Sequence, residues 1–187
     1  MSGVAASVFA RAVASSLRAV FVGIVLSAGA AWCALPAAAQ QLNRLAGEVV
    51  GLADGDTVTV LDAERTQHKI RLAGIDAPEK SQPFGNRSRQ HLADLVLRQQ
   101  VAVEWTKRDR YGRIVGKVLV RGKDVCLAQV AAGLAWHYKA YVREQSAEDQ
   151  AEYAAAETLA RSRQQGLWRE PEPMAPWDFR RARRPRN

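Results

Sequence analysis

Cysteine is scarce in this sequence, with two in 187 residues. Cys33 lies in an apolar N-terminal stretch, and Cys126 sits between Val125 and Leu127 in a helical pattern. A disulfide framework is therefore excluded. With the N-terminal stretch removed, Cys126 has no intrachain partner and reads as a buried structural thiol. Histidine is equally sparse: His68, His91 and His137 are far apart and match no zinc-ligand spacing. No serine or cysteine nucleophile motif is present, and no internal repeat. Acid is missing from both ends. Residues 1–39 hold Arg11 and Arg18 without Asp or Glu, and residues 180–187 hold five arginines without Asp or Glu. The net charge of +8 is thus carried mostly by the ends. A basic site on the folded part must come from local placement, while long-range attraction for a polyanion belongs to the tail.

What is present is an ordinary globular composition, 48% apolar and 25% charged, long enough for one domain with a real core. Residues 1–39 read as an export signal: two arginines, the apolar run Val20–Leu26, and Ala37-Ala38-Ala39 before Gln40 as the mature start. The protein is then expected to be exported, periplasmic or secreted, without stable membrane association, and to act as a monomer. The other reading is an uncleaved anchor, since the uncharged run from Ala19 to Ala39 nearly spans a bilayer. Pro36 and the alanine-rich end favour cleavage, and the bulky Trp32 before Cys33 speaks against a lipoprotein signal.

The spacing predicts strands near Gly47–Val50, Thr57–Val60, Lys69–Ala73, Val101–Trp105 and Ile114–Val120. It predicts helices opening at Gly85-Asn86, at Asp124 and at Ser146, with the last running to Gln165. Pro171, Pro173 and Pro176 are expected to bar further helix and leave an extended segment pinned by Trp168, Trp177 and Phe179. Residues 40–179 form the expected domain, and 180–187 the expected disordered tail. Five short strands with about three helices suggest an α+β, mainly β, barrel of the OB type.

Chemistry concentrates in Arg71-Leu72-Ala73-Gly74-Ile75-Asp76-Ala77-Pro78-Glu79. A strand delivers one guanidinium, and the bend after it delivers two carboxylates. An arginine can clamp phosphate oxygens, one carboxylate can hold a hard cation, and a second can take a proton from water. Asp54-Gly55-Asp56-Thr57 puts two carboxylates around a glycine; taken alone it reads first as a hairpin turn, and it is no EF-hand loop. Arg110-Tyr111-Gly112-Arg113, enlarged by Lys107 and Arg108, offers a ring for a base and guanidiniums for phosphate.

These three motifs in this order resemble the staphylococcal nuclease (thermonuclease-like) family, with the likeness running from about Gly47 to Trp168. The resemblance implies a five-stranded OB-fold barrel and Ca²⁺-dependent hydrolysis of DNA, RNA or both. By matching position it implies Asp56 and Asp76 as Ca²⁺ ligands, with the backbone carbonyl of Ala77. It implies Glu79 as general base or water-orienting carboxylate, and Arg71 and Arg113 as the residues that hold the scissile phosphate. Ala77 stands where the best-known member has threonine, and Arg110 where it has lysine. Tyr138 and Tyr141 are candidates for stacking on a base, beside Arg110 and Tyr111. The alternative is an OB-fold module that binds nucleic acid without cutting it. The intact set Asp56, Arg71, Asp76, Glu79 and Arg113 favours the enzyme, since a pure binder can discard the carboxylates.

Overall fold

The computed structural model describes residues 42–184, so the expected leader, the Gln40 start and residues 185–187 lie outside the described residues. Strands β1 (Asn43–Leu52), β2 (Thr57–Leu61) and β3 (Gln67–Leu72) pair in antiparallel succession. A two-residue strand, β4 (Ile75–Asp76), follows the turn at Gly74. Helix α1 (Gly85–Val96) leads to β5 (Gln100–Arg108), which pairs with β1, and then to β6 (Ile114–Val120), which pairs with β5. β6 also runs parallel to β3, with Ile70 opposite Ile114 and Leu72 opposite Gly116. That pairing closes the sheet into the five-stranded barrel that the resemblance implies.

The period-2 pattern explains the interior. Val58, Val60, Ile70, Leu72, Val103 and Val118 are buried together, while the intervening residues are at most partly buried in most cases. Register slips in β1 between Val49 and Gly51, and in β5 between Trp105 and Lys107, supply the local bending that a small closed barrel needs.

Beyond the barrel lie β7 (Lys123–Asp124), α2 (Val125–Ala131), β8 (Trp136–His137) and α3 (Ala147–Ser162). The expected caps hold. The Asp124 carboxylate accepts from the amides of Cys126 and Leu127, and Ser146 Oγ accepts from the Asp149 amide at 3.0 Å. Helix α3 stops three residues before the expected Gln165, because Gln164 and Gly166 both take left-handed backbone angles. Cys126 is fully buried, and burial pushes its thiol pKa up, in line with a structural role. Among the described residues no helix is long and apolar enough to cross a membrane.

The C-terminal end departs from expectation. Pro176 does not forbid a helix; it is the first residue of α4 (Pro176–Ala182). The first-turn amides of a helix have no helical partner, so proline's missing N–H is harmless there and its fixed φ already suits the turn. Arg180, Arg181 and Ala182, placed by the sequence reading in a disordered tail, are the end of this helix. Trp177 fastens it: its ring lies 5.5 Å from Trp136 and 5.2 Å from Tyr138, centroid to centroid.

Candidate active site

The turn between β1 and β2 presents Asp56. Its amide donates to Asp54 Oδ1 at 3.1 Å, and its carbonyl accepts from the Leu72 amide at 2.8 Å, tying the turn to β3. Gly55 is required here by close approach: a Cβ would collide with the Ser88 side chain and with Ala77. Its carbonyl accepts from Nε2 of the fully buried Gln129 at 2.7 Å. Gly85 plays the same part for Glu79, because a Cβ there would run into the Glu79 and Lys80 backbone. The Glu79 carbonyl accepts from the Gln82 amide at 2.8 Å, which fixes the bend after Pro78.

These supports bring four sequence-predicted residues into one charged network. Arg71 bridges two carboxylates, donating through Nη2 to Asp76 Oδ1 at 3.0 Å and pairing through Nη1 with Asp56. Asp56 Oδ2 also accepts from the Ala77 amide at 2.8 Å, and its Oδ1 from Thr57 Oγ1 at 3.1 Å. Asp56 is 6% exposed and Asp76 only 1%. Glu79 joins through a residue that sequence reasoning missed. Arg180 Nη1 donates to Glu79 Oε1 at 2.8 Å and to Asp76 Oδ1 at 3.2 Å, and Nη2 donates to Asp76 Oδ2 at 2.7 Å. The contact spans more than half the chain, and no local pattern encodes it. Glu79 is therefore a paired carboxylate in the folded protein.

Arg113, immediately before β6, reaches the same turn. Its Nε donates to Asp109 Oδ2 at 2.8 Å, and Nη1 makes a long contact of 3.4 Å to Thr57 Oγ1. Arg110 donates to the Tyr111 hydroxyl at 2.7 Å, and both guanidiniums lie over the Tyr111 ring, which is 68% exposed. Tyr138 and Tyr141 form an edge-on pair 5.3 Å apart, but the Trp177 ring also lies against Tyr138.

Electrostatics follow the crowding. Burial and the neighbouring Asp56 push Asp54 up to about 6. Burial raises Asp76 as well, only partly offset by Arg180 and Arg71. For Asp56 burial acts in the same sense, but Arg71 and the Ala77 amide outweigh it and leave the carboxyl below its ordinary range. Arg71 is therefore the shared counter-charge of two buried acids. Arg71→Ala is expected to cost about 3–5 kcal/mol of stability by leaving Asp56 unpaired. Urea unfolding at neutral pH reads this, and an unchanged midpoint would show that the carboxylates do not depend on Arg71.

Among the described residues no three His, Cys, Asp or Glu side chains converge as a complete metal cage. Asp56, Asp76 and the Ala77 carbonyl are nonetheless oxygen donors only. The histidines are engaged elsewhere: His68 pairs with Asp62 at 2.7 Å, His91 with Gln129, and His137 with Gln145 at 2.8 Å. A donor set of buried carboxylate and carbonyl oxygens, without thiolate or imidazole, fits Ca²⁺ better than Zn²⁺.

The family model described as staphylococcal nuclease homologue matches residues 69–170. The chain is 39% identical over 166 residues to Protein ParB of Escherichia coli, covering 84% of this chain and 91% of that one. It is 43% identical over 145 residues to a micrococcal nuclease of Shigella flexneri, covering 73% and 80% respectively. It is 38% identical over 133 residues to an uncharacterized endonuclease of Haemophilus influenzae, covering 71% of each.

Proposed function

The chain belongs to the staphylococcal nuclease homologue family, and on that premise we propose that it is an exported, Ca²⁺-dependent nuclease hydrolysing phosphodiester bonds of DNA, RNA or both. The observation that supports this most is the single network joining Asp56, Arg71, Asp76 and Glu79, with Arg113 at its edge. Asp56 and Asp76, with the Ala77 carbonyl, would hold Ca²⁺. When bound, the ion supplies positive charge against a phosphoryl group as negative charge develops on it. Glu79 is half-exposed, so water can reach it, and it would take the proton of the attacking water. Arg71 would hold a phosphoryl oxygen from the floor of the site. Arg113, anchored through Nε to Asp109, would offer its terminal nitrogens to another. Arg110 and Tyr111 supply a cation and an exposed ring to the strand, and Tyr138 with Tyr141 a further aromatic surface. The leader supports export, and the chain would act as a monomer.

Expressed with its leader, protein recovered outside the cytoplasm is expected to start near Gln40. With Ca²⁺ present it should cut plasmid DNA and a structured RNA. A non-catalytic binding module would retard both in a gel and leave both intact, and that result would replace this reading.

A further inference from the structure

We propose that α4 is an internal competitor for the cation: Arg180 occupies the carboxylates that would hold Ca²⁺, and the site loads as Arg180 withdraws. The inference rests on the metal-site reading above and adds a control to it. Arg180 engages both oxygens of Asp76 and one of Glu79, so a presumed ligand and the presumed base are tied to one guanidinium. Asp76 Oδ1 is shared with Arg71 besides, which leaves neither oxygen of that carboxylate clear of a guanidinium.

A Ca²⁺ ion binds carboxylate oxygen at about 2.3–2.6 Å. Arg180 Nη2 lies 2.7 Å from Asp76 Oδ2. Ion and guanidinium would therefore crowd the same small carboxylate from which solvent is largely excluded, where like charges repel far more strongly than in water. Of the groups involved, Arg180 is the one that can move. Its side chain is 42% exposed, whereas Asp76 is 1% exposed and Arg71 is built into the barrel wall.

The element that carries Arg180 suits such a role. Helix α4 has seven residues, is the last described element, and buries only Pro176 of its own length. Short elements with few buried contacts open at low free energy while the rest of a domain stays folded. Its other ties include Trp177 on Trp136 and Tyr138, Arg183 Nη1 to Ser81 Oγ at 2.6 Å, and, just before the helix, the buried Ala175 and the Met174 carbonyl, which accepts from Gln82 Nε2 at 2.5 Å. An open pocket of about 420 Å³ lies between the helix and the loops that carry Asp54 and Glu79, with Phe179 and Arg180 lining its helical side. The family match covers residues 69–170, and α4 follows it. Because Trp177 also covers Tyr138, one helix lies over a presumed metal ligand, the presumed base and part of the presumed base-stacking surface. Its withdrawal would open all three together.

The test is Ca²⁺ binding without nucleic acid, by calorimetry, on the full chain and its variants. When the competent state is a minor fraction, apparent affinity falls by that fraction. Arg180→Gln is therefore expected to tighten Ca²⁺ binding by about 10–100-fold, as for a competent fraction of 1–10%. Arg180→Lys keeps the charge without the two-pronged contact and should fall between. Arg181→Gln, altered at a residue that pairs only with Asp178 among the described residues, should match the parent. In the parent, Ca²⁺ should also hasten proteolysis between Glu170 and Ala175. Equal affinity in parent and Arg180→Gln overturns the competition, and weaker affinity in Arg180→Gln overturns it in favour of a supporting role for Arg180. Absence of Ca²⁺ binding in every variant overturns the metal-site reading and this proposal with it.

Discussion

Stripping the protein with a chelator is expected to reduce cleavage of DNA and RNA by about 10³-fold or more, and added Ca²⁺ is expected to restore it. The scale follows from the several kcal/mol that a divalent cation contributes to phosphoryl charge stabilisation, at tenfold per 1.36 kcal/mol. Its motive is the donor set. Asp56 and Asp76 are buried carboxylates beside a backbone carbonyl, without thiolate or imidazole among them. Such a set favours a hard cation that accepts six to eight oxygens, and Zn²⁺ should restore activity poorly. Parallel titrations of the stripped protein with Ca²⁺ and Zn²⁺, read by initial rates, settle the matter. Undiminished cleavage in excess chelator would remove the metal and leave the arginines alone to stabilise the developing charge.

Glu79→Gln is expected to lower turnover by roughly 10²–10⁴ at saturating Ca²⁺. Glutamine keeps the length and one carbonyl oxygen, so the contact with Arg180 Nη1 can persist. What it removes is the oxygen able to accept a proton from water. Ca²⁺ binding should change little, because Asp56 and Asp76 are the presumed ligands; any change should be toward tighter binding, since Arg180 loses a charged partner. Arg113→Ala should also slow the reaction, by loosening the hold on phosphate. Turnover measured together with a Ca²⁺ titration separates these effects. Wild-type turnover in Glu79→Gln would falsify the role assigned to it.

Much of this fold is written in local pattern. The alternation through Thr57–Val60 and Lys69–Leu72 is that of strands with one buried face, and the structure buries Val58, Val60, Ile70 and Leu72. Asp124 and Ser146 act as caps because their short side chains reach amides two or three residues on. Arg71, Asp76 and Glu79 were legible because one strand and the bend after it carry all three, whereas Asp56 and Arg113 were named through the resemblance. What stayed hidden depends on distance along the chain or on position within an element. Pro176 reads as a helix breaker unless one knows that it stands at the first position of a helix. Arg180 reads as one more basic tail residue until folding brings it against Asp76 and Glu79. The β4–β8 pairing of Asp76 with Trp136 is two residues long, too short for any periodicity to announce.

The parallel seam between β3 and β6 has a consequence for how the protein comes into being. Arg71 lies on one strand of that seam, and Arg113 immediately precedes the other. The partners are distant in sequence, so the seam forms only after the entropy of closing a long loop has been met. Until then the chain carries every charged group of the network but no arrangement that could hold a phosphate between them. On the proposed function, a folding intermediate with an open barrel is expected to cut no nucleic acid. Were the chain exported unfolded, as the proposal of an export leader implies, it would be harmless to the nucleic acids of the cell that makes it until it folds on the far side.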